Sequence, residues 1–308
     1  MAESAAGPPA TSPSGPRPGG GPNLPAGPET PRARVRPLHR WRRWPPALRV
    51  GGVLVGLVVL MALLSLVWLP ADPNAQDLLG RLQPPSAAHP LGTDQYGRDL
   101  LARILVGARA SLLVGAVAVG IGLGAGLVLG LLAGFFGGRA DRVIMLLVEA
   151  LYSLPALLLA MLLVTAWGPG LVSAMTAVGI AAIPGFTRVA RASVLQVRAM
   201  PYVEAATALG ARQRRVMLRH ILPNILGPLI VQASLTMGAA VLVEASLSYL
   251  GLGIQPPTAS WGRMLRESQS FMTLSPYATV FPGLAVAAVV LGFNLLGDGL
   301  RDLLGKGS

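Results

Sequence analysis

Apolar residues form six long stretches along the chain, separated by polar, proline-rich or arginine-rich segments. The first stretch, 50–69, holds 20 residues without a charge. At 1.5 Å per residue such a helix spans about 30 Å, the thickness of a bilayer's hydrocarbon core. The pattern predicts six transmembrane helices, at residues 50–69, 112–137, 143–167, 171–186, 225–252 and 281–296. We therefore expect an all-α integral membrane protein.

The composition supports a location in lipid. The chain is 53% hydrophobic and 12% charged, which is about half the share of charged residues in a typical soluble domain. A net charge of +12 would suggest nucleic acid as the partner of a soluble protein. In a membrane protein the same arginines serve as topology signals and as contacts to lipid headgroups. We expect membrane lipid, and no nucleic acid, as a partner.

The positions of the basic residues predict the orientation of the helices. With the N-terminus in the cytoplasm, 19 of the 25 Lys and Arg residues lie on the cytoplasmic side. The other six lie outside, around 70–111 and 253–280. Such an excess of positive charge inside predicts that both termini are cytoplasmic, an N-in/C-in topology.

The chain divides into three predicted regions. Residues 1–46 contain 12 of the 27 prolines and no apolar period, so we expect a disordered cytoplasmic tail. Polar sequence precedes the first apolar run, which argues against a cleaved leader. Residues 47–111 hold the first transmembrane helix and an external loop, and 112–304 form a core domain with the five remaining helices.

The second predicted transmembrane helix repeats glycine at every fourth position. Residues four apart lie on one face of a helix, so this face is nearly bare backbone. It predicts close packing against another helix. The glycines are Gly122, Gly126, Gly130, Gly134 and Gly138.

A loop at 187–223 separates the fourth and fifth predicted transmembrane helices and begins a new local pattern. Pro201 suits the first turn of a helix, where its missing N–H needs no partner. Glu204 in that turn favours the positive end of the helix dipole. Gly210 adopts positive φ readily and can end the helix. The loop is predicted to present a short helix with small alanine side chains.

A second short helix, at about 213–220, follows and carries Arg214 and Arg215. Pro223 is expected to stop it before the fifth transmembrane helix. Two interpretations of the loop remain open. It either inserts into a groove of a partner protein, or lies on the membrane surface with its arginines on anionic lipid.

Several motifs carry a resemblance to a known family. Glu204-Ala205-Ala206, then Gly210 and Leu222-Pro223, resemble the loop conserved in permease subunits of binding-protein-dependent ABC importers. His220 departs from the general pattern, which has isoleucine, but His-Ile-Leu-Pro-Asn is similar to the dipeptide/oligopeptide branch. The stretches 89–111, 243–253 and 294–302 resemble the same branch.

The resemblance implies the type I permease fold of ABC importers and a place in a prokaryotic cell membrane. It implies a second permease subunit, two ABC ATPase subunits and a substrate-binding protein as partners. ATP and Mg would be bound by the ATPase subunits, with no cofactor or metal on this chain and no catalytic residue. The implied substrates are di- or oligopeptides; nickel or another small solute is the alternative.

The resemblance also assigns roles to residues of the cytoplasmic loop. The loop would be the coupling helix, which contacts the ATPase subunits. The residues predicted to make this contact are Glu204, Ala205, Ala206, Gly210, Arg214 and Arg215.

Three charged residues, Asp94, Arg98 and Asp99, lie on the predicted outer side before the second transmembrane helix. They suggest either a contact surface for a substrate-binding protein or an internal cluster of ion pairs and helix caps. Carboxylates near a helix start are stabilising in both cases.

Two acidic residues, Glu149 and Glu244, lie within apolar stretches. A carboxylate in hydrocarbon is costly unless it is paired or hydrated, so such residues usually face a bundle interior or a cavity. They are candidates to line a translocation path. The alternatives are a buried hydrogen bond to a neighbouring helix or partner subunit, or a position nearer the membrane interface than the predicted helix boundaries imply.

Other functions fit the sequence less well. An intramembrane enzyme would need a Ser/His pair or paired aspartates within the spans, and the sequence has neither. An ion channel would not require the cytoplasmic loop. The C-terminal Gly305-Lys306-Gly307-Ser308 fails the phosphate-loop pattern because Leu300 and Gly307 occupy required positions. With no cysteine and three scattered histidines, a metal centre is not expected.

Overall fold

The computed structural model describes residues 44–305 and Gly7, and within them it is built from helices. The α-helices are α1 (Pro46–Val67), α2 (Leu100–Phe136), α3 (Gly138–Tyr152), α4 (Ala156–Trp167), α5 (Leu171–Arg198), α6 (Pro201–Ala208), α7 (Gln213–Arg215), α8 (Leu222–Tyr249), α9 (Trp261–Ser268) and α10 (Tyr277–Gly305). A π-helical turn, Val216–Ile221, joins α7 to α8. The predicted tail, 1–46, lies largely outside the described residues; at its end, Pro46 already belongs to α1.

Five helical segments are long and apolar enough to cross a membrane: α1, α2, α5, α10 and the continuous run Gln213–Tyr249. The predicted third transmembrane helix is instead two helices, α3 and α4, bent by 85° at the break between them. Pro155 precedes α4, and a proline disfavours helical geometry in the residue before it. The described residues therefore contain five spans, or six if the bent pair crosses as one.

Helix α2 begins earlier than predicted. Its 37 residues start at Leu100 rather than at 112, because the Asp99 side chain caps its first turn. The expectation of an external loop up to 111 was wrong, since it treated Arg103 and Arg109 as loop residues. Arg103 is almost fully buried, and its charge is compensated by neighbours described below.

Two helix ends that were predicted from prolines are not present in the structure. Helix α5 continues through Pro184, which is buried against neighbouring helices, and it reaches Arg198 rather than ending near 186. Pro223 lies in the first turn of α8 and does not interrupt the helical run. The π-helical turn directly before it already departs from the regular i→i−4 hydrogen bonding. Much of the predicted loop 187–223 is therefore helical.

The glycine face of α2 packs directly on α5. At Gly126 an added Cβ would stand 2.5 Å from the Cβ of Phe186, and at Gly134 it would stand 2.8 Å from that of Val194. The predicted close packing is confirmed at four of the five repeat positions; Gly138 lies beyond α2 with no such neighbour. The two backbones can approach because no side chain stands between them.

Helix α2 reaches from one end of the bundle to the other, about 55 Å at 1.5 Å per residue. Near its start the indole N–H of Trp261, in α9, donates a hydrogen bond to the carbonyl of Ile104 (3.1 Å). At its other end the guanidinium of Arg198 donates to the carbonyl of Phe135 (2.8 Å), beside α6. We call these the α9 end and the α6 end.

We predict that Gly130→Ala destabilises the protein by about 1–3 kcal/mol, because the new methyl group would meet backbone atoms of Thr187 and Arg191 and force α2 from α5. Gly124→Ala on the same helix is the matched control, since no atom lies within 4 Å of its added Cβ. Thermal unfolding in detergent measures both. Equal unfolding midpoints for the two variants would contradict the close contact.

Candidate functional site

The predicted coupling residues centre on α6, a helix of 8 residues at one end of the bundle. Pro201 begins it and Glu204 lies in its first turn, as predicted. After Ala208 the chain turns at Gly210, whose φ of +80° is rarely adopted by other residues. The N–H of Gly210 donates to the carbonyl of Thr207 at 3.0 Å, which closes the helix end.

Helix α6 touches its own subunit mainly through one side chain. Val203 is buried in an apolar cluster with residues of α5 and α8. Glu204, Ala205 and Gly210 are exposed, and Leu209 at the tip is 89% exposed. The predicted coupling residues therefore lie on a surface that this chain leaves uncovered.

Two arginines extend this surface. Arg214 and Arg215 are exposed on α7, one turn long, between Gly210 and the π-helical turn. Val216 and Ile221 of that turn are buried in the same cluster as Val203. The two exposed arginines are thus followed along the chain by residues that are firmly packed in the core.

A cavity of about 530 Å³ lies beside α6 and was not predicted. Its walls include Phe135 at the end of α2, Arg198 at the end of α5, and Glu204 and Thr207 of α6. The Arg198 guanidinium lies over the Phe135 ring, 5.9 Å from its centre. Sequence reasoning missed Phe135 and Arg198 because nothing in their local pattern shows that α2 and α5 end together.

The second group of predicted residues lies at the α9 end. Asp94 accepts a hydrogen bond from Nε of Arg98 at 2.6 Å, and also from two backbone N–H groups. Arg98 donates through Nη2 to Glu267 of α9 at 2.6 Å, and Glu267 also accepts from Nε of Arg263 at 2.7 Å. The loop before α2 is thereby tied to α9.

Asp99 has a separate role. One carboxylate oxygen accepts the backbone N–H of Ala102 at 2.8 Å and caps α2. The other lies 2.9 Å from Nδ1 of His89. Both contacts hold the entry of the chain into α2.

Arg103, 1% exposed, completes this ion-pair cluster. Its Nη1 donates to the carbonyl of Pro73 at 3.2 Å. Its Nε and Nη2 lie 3.6 and 3.7 Å from the carboxylates of Asp94 and Glu267, too far for direct hydrogen bonds. Arg103 and Glu267 were not predicted as site residues; only the fold brings them beside Asp94.

The electrostatics of the cluster follow from these contacts. Burial alone would raise the pKa of Glu267, but the Arg263 hydrogen bond and the Arg98 charge outweigh it, and the pKa lies below its ordinary value. Asp94 and Asp99 are also nearly fully buried. This placement favours the internal-cluster interpretation over an exposed contact surface.

The two acidic residues within the apolar stretches are in different surroundings. Glu244 is fully buried in α8 and accepts hydrogen bonds from Ser248 at 2.7 Å and from Ser111 of α2 at 3.4 Å. The same Ser248 hydroxyl accepts the backbone N–H of Ile254 at 3.1 Å. Glu149 is exposed on α3. For Glu244 the geometry favours the hydrogen-bond alternative over a path-lining role.

The described residues contain no group of three or more His, Cys, Asp or Glu side chains that could hold a metal ion. The candidate sites are an exposed surface on α6 and α7 and a buried ion-pair cluster at the α9 end.

Comparison with known proteins adds family information. The model of the family described as "Binding-protein-dependent transport system inner membrane component" matches residues 126–307. The chain is 46% identical over 260 residues to "Probable D,D-dipeptide transport system permease protein DdpC" of Escherichia coli K12, covering 84% of this chain and 87% of the relative. It is 43% identical over 262 residues to "Di/tripeptide transport system permease protein DppC" of Pseudomonas aeruginosa, covering 83% and 86%.

A third relative, "Glutathione transport system permease protein GsiD" of Pectobacterium atrosepticum, is 42% identical over 270 residues, covering 86% and 89%. Among solved structures, the inward-facing MetNI methionine ABC transporter matches with a TM-score of 0.52 and 19% identity, over 64% of this chain and 96% of that chain. An amino acid ABC transporter matches with a TM-score of 0.50 and 19% identity, over 67% and 94%. The structural likeness concerns the fold.

We predict that acidification destabilises the ion-pair cluster through Glu267. Because its pKa in the folded protein lies below the ordinary 4.5, its contribution is complete above pH 4.5 and is lost as the pH falls through the folded value. Glu267→Gln should unfold at a lower temperature at pH 7 and show a shallower decline below pH 4.5. Asp302→Asn, which removes an exposed carboxylate, is the control. A decline in Glu267→Gln as steep as in the wild type would contradict this assignment.

Proposed function

Because the chain belongs to the binding-protein-dependent transport system inner membrane components, we propose that it imports di- or oligopeptides as one permease subunit of an ATP-driven transporter. The names of its relatives support peptides as the substrate class. As a permease subunit it is a non-catalytic membrane component.

The observation that carries the mechanism is the exposure of α6. A short helix with small side chains, anchored on its own subunit by Val203, leaves Glu204, Ala205 and Gly210 uncovered. We propose that these residues, with half-buried Ala206, lie in a groove of an ABC ATPase subunit. Arg214 and Arg215 would meet acidic side chains at the rim of that groove.

The connections of α6 explain how it would transmit movement. Two residues separate it from α5, and Met200 in that link donates to the carbonyl of Val197 at 3.1 Å and accepts from the N–H of Glu204 at 3.2 Å. Because this link is short and hydrogen-bonded at both ends, a displacement of α6 would move the end of α5 with it. Closure of two ATPase subunits, which hold ATP and Mg, would then change the angle between this subunit and a second permease subunit.

The proposed orientation follows from charge. The α6 end faces the cytoplasm, with both termini inside, and the α9 end faces outward in the membrane of a prokaryotic cell. The α9 end would receive peptides from a substrate-binding protein. The buried ion pairs between Arg98 and the carboxylates of Asp94 and Glu267 would keep this outer surface rigid rather than contact the binding protein themselves.

We predict that Glu204→Lys and Gly210→Pro abolish peptide-stimulated ATP hydrolysis while the protein still inserts. Lysine places a positive charge at the positive end of the α6 dipole, and proline cannot adopt the φ of +80°. ATPase activity and peptide uptake are measured in proteoliposomes that contain the assembled transporter and its binding protein.

The matched control is Arg139→Glu, which also reverses an exposed charge at the same end, with a change of equal size and opposite sign. It should retain most of the stimulation. Full stimulation in both α6 variants would contradict the coupling role. Labelling of residues 202–209 from the outside of intact cells would contradict the orientation.

A further inference from the structure

A second cavity at the α6 end, of about 630 Å³ and open on one side, is lined by α5, α8 and α10 beside the link to α6. Its volume lies in the range of small-molecule sites. Val197 and Val231 form part of its apolar wall, and Met200 and Tyr202 border it next to α6. It is separate from the cavity beside Phe135, which lies on another side of α6.

The polar lining of this cavity is unusual for a chain so poor in polar side chains. The polar residues that line it are Gln196 of α5, Tyr202 of α6, Asn224 and Gln232 of α8, and Arg301 of α10. Among the described residues that line it, Arg301 is the only charged one and none is a carboxylate. Arg301 also forms no ion pair with a described residue. The described part of the cavity thus offers a positive charge beside several amide groups.

The depth of Gln232 indicates that this polar surface faces water rather than lipid. Gln232 lies ten residues into α8, about 15 Å from its start, where an amide facing hydrocarbon would be costly. Its Nε2 donates to the hydroxyl of Thr236, one turn deeper, at 3.2 Å. The absence of a side chain at Gly185 of α5 leaves space for this amide. A polar track therefore leads from the mouth of the cavity towards the middle of the bundle.

The hydrogen-bonding groups at the mouth match those of a peptide. The Asn224 amide nitrogen already donates to the carbonyl of His220 at 2.6 Å, so the side-chain oxygen remains as an acceptor. Pro228 has no N–H, so the backbone carbonyl of Asn224 lacks its usual helical partner. These acceptors suit peptide N–H groups, and the Gln196 and Gln232 amides suit both N–H and C=O groups.

We propose that this cavity is a peptide-binding subsite on the cytoplasmic part of the translocation path, in which Arg301 binds the C-terminal carboxylate. The inference rests on the proposed function, because it takes the α6 end as the side of release. It assigns the path-lining role to Gln232, Gln196 and Arg301 rather than to Glu244 and Glu149. Since none of the described lining residues is a carboxylate, the subsite recognises the carboxylate end of the peptide and not its amino end.

The test uses the assembled transporter, with its second permease and ATPase subunits, in detergent without nucleotide or binding protein. Equilibrium dialysis measures binding of radiolabelled alanyl-alanine, its C-terminal amide and its N-acetyl derivative. The wild type should bind the amide about ten-fold more weakly than the free dipeptide, as expected for loss of a charge-assisted hydrogen bond. The N-acetyl derivative should bind within about two-fold of the free dipeptide, since none of the described lining residues carries a negative charge to pair with the amine.

Variants connect this preference to particular residues. Arg301→Gln should bind the free dipeptide about ten-fold more weakly than the wild type does, and should bind the dipeptide and its amide with equal affinity. Arg301→Lys should keep the preference for the free dipeptide over its amide. Gln232→Leu should weaken all three ligands several-fold without changing the preference for a free carboxylate. Arg142→Gln, which removes an exposed arginine from α3 at the same end, is the matched control and should behave as wild type.

Two results would overturn the inference while leaving the proposed function intact. One is an Arg301→Gln transporter that still prefers the free carboxylate as strongly as the wild type. The other is a wild-type complex that binds no dipeptide under these conditions but imports it in proteoliposomes with its binding protein. If the wild-type transporter imports no peptide at all, the proposed function fails and the inference falls with it.

Discussion

The contact between the glycine face of α2 and α5 fixes the geometry on which both ends of the molecule depend. Because side chains at Gly126, Gly130 and Gly134 would collide with α5, only bare backbone allows the two helices to lie so close. At one end of this pair the Arg198 guanidinium ties α5 to the last turn of α2, and α6 follows directly. At the other end the start of α2 carries the cap and the ion pairs that join it to α9.

The two ends use charge in opposite ways. At the α9 end, Arg98, Arg103 and Glu267 lie against one another, and their ion pairs hold the loop before α2 to α9. At the α6 end, Arg214, Arg215 and Arg301 form no ion pairs within the described residues, so they remain available to other molecules. This distribution of paired and unpaired charge is consistent with the proposed roles of the two ends, a rigid substrate-receiving surface at the α9 end and a partner-binding surface at the α6 end.

Local sequence predicted the features whose causes are local. The family and its helical membrane fold were predicted from motifs and apolar stretches and are confirmed. Pro201 and Gly210 bound α6 as expected, because a proline start and a positive-φ end are properties of single residues. The errors were of two kinds: local signals that were given too little weight, at Asp99 and Pro155, and features that distant contacts decide. Asp99 extends α2 beyond its apolar stretch, and neighbouring helices support α5 through Pro184, whereas Pro155 breaks α3 from α4. Likewise, no pattern near residue 267 could place its carboxylate beside Arg98.

The attachment of α6 constrains the kind of motion it can pass on. One buried side chain, Val203, is its main hold on the subunit, and a hydrogen-bonded link of two residues joins it to α5. Helix α6 therefore projects from the bundle with few buried contacts of its own and a short connection to α5. In the proposed transporter, a force on α6 would therefore act on α5 through this link, and on α8 through the hydrogen-bonded turn at Gly210 and the helical run that follows it.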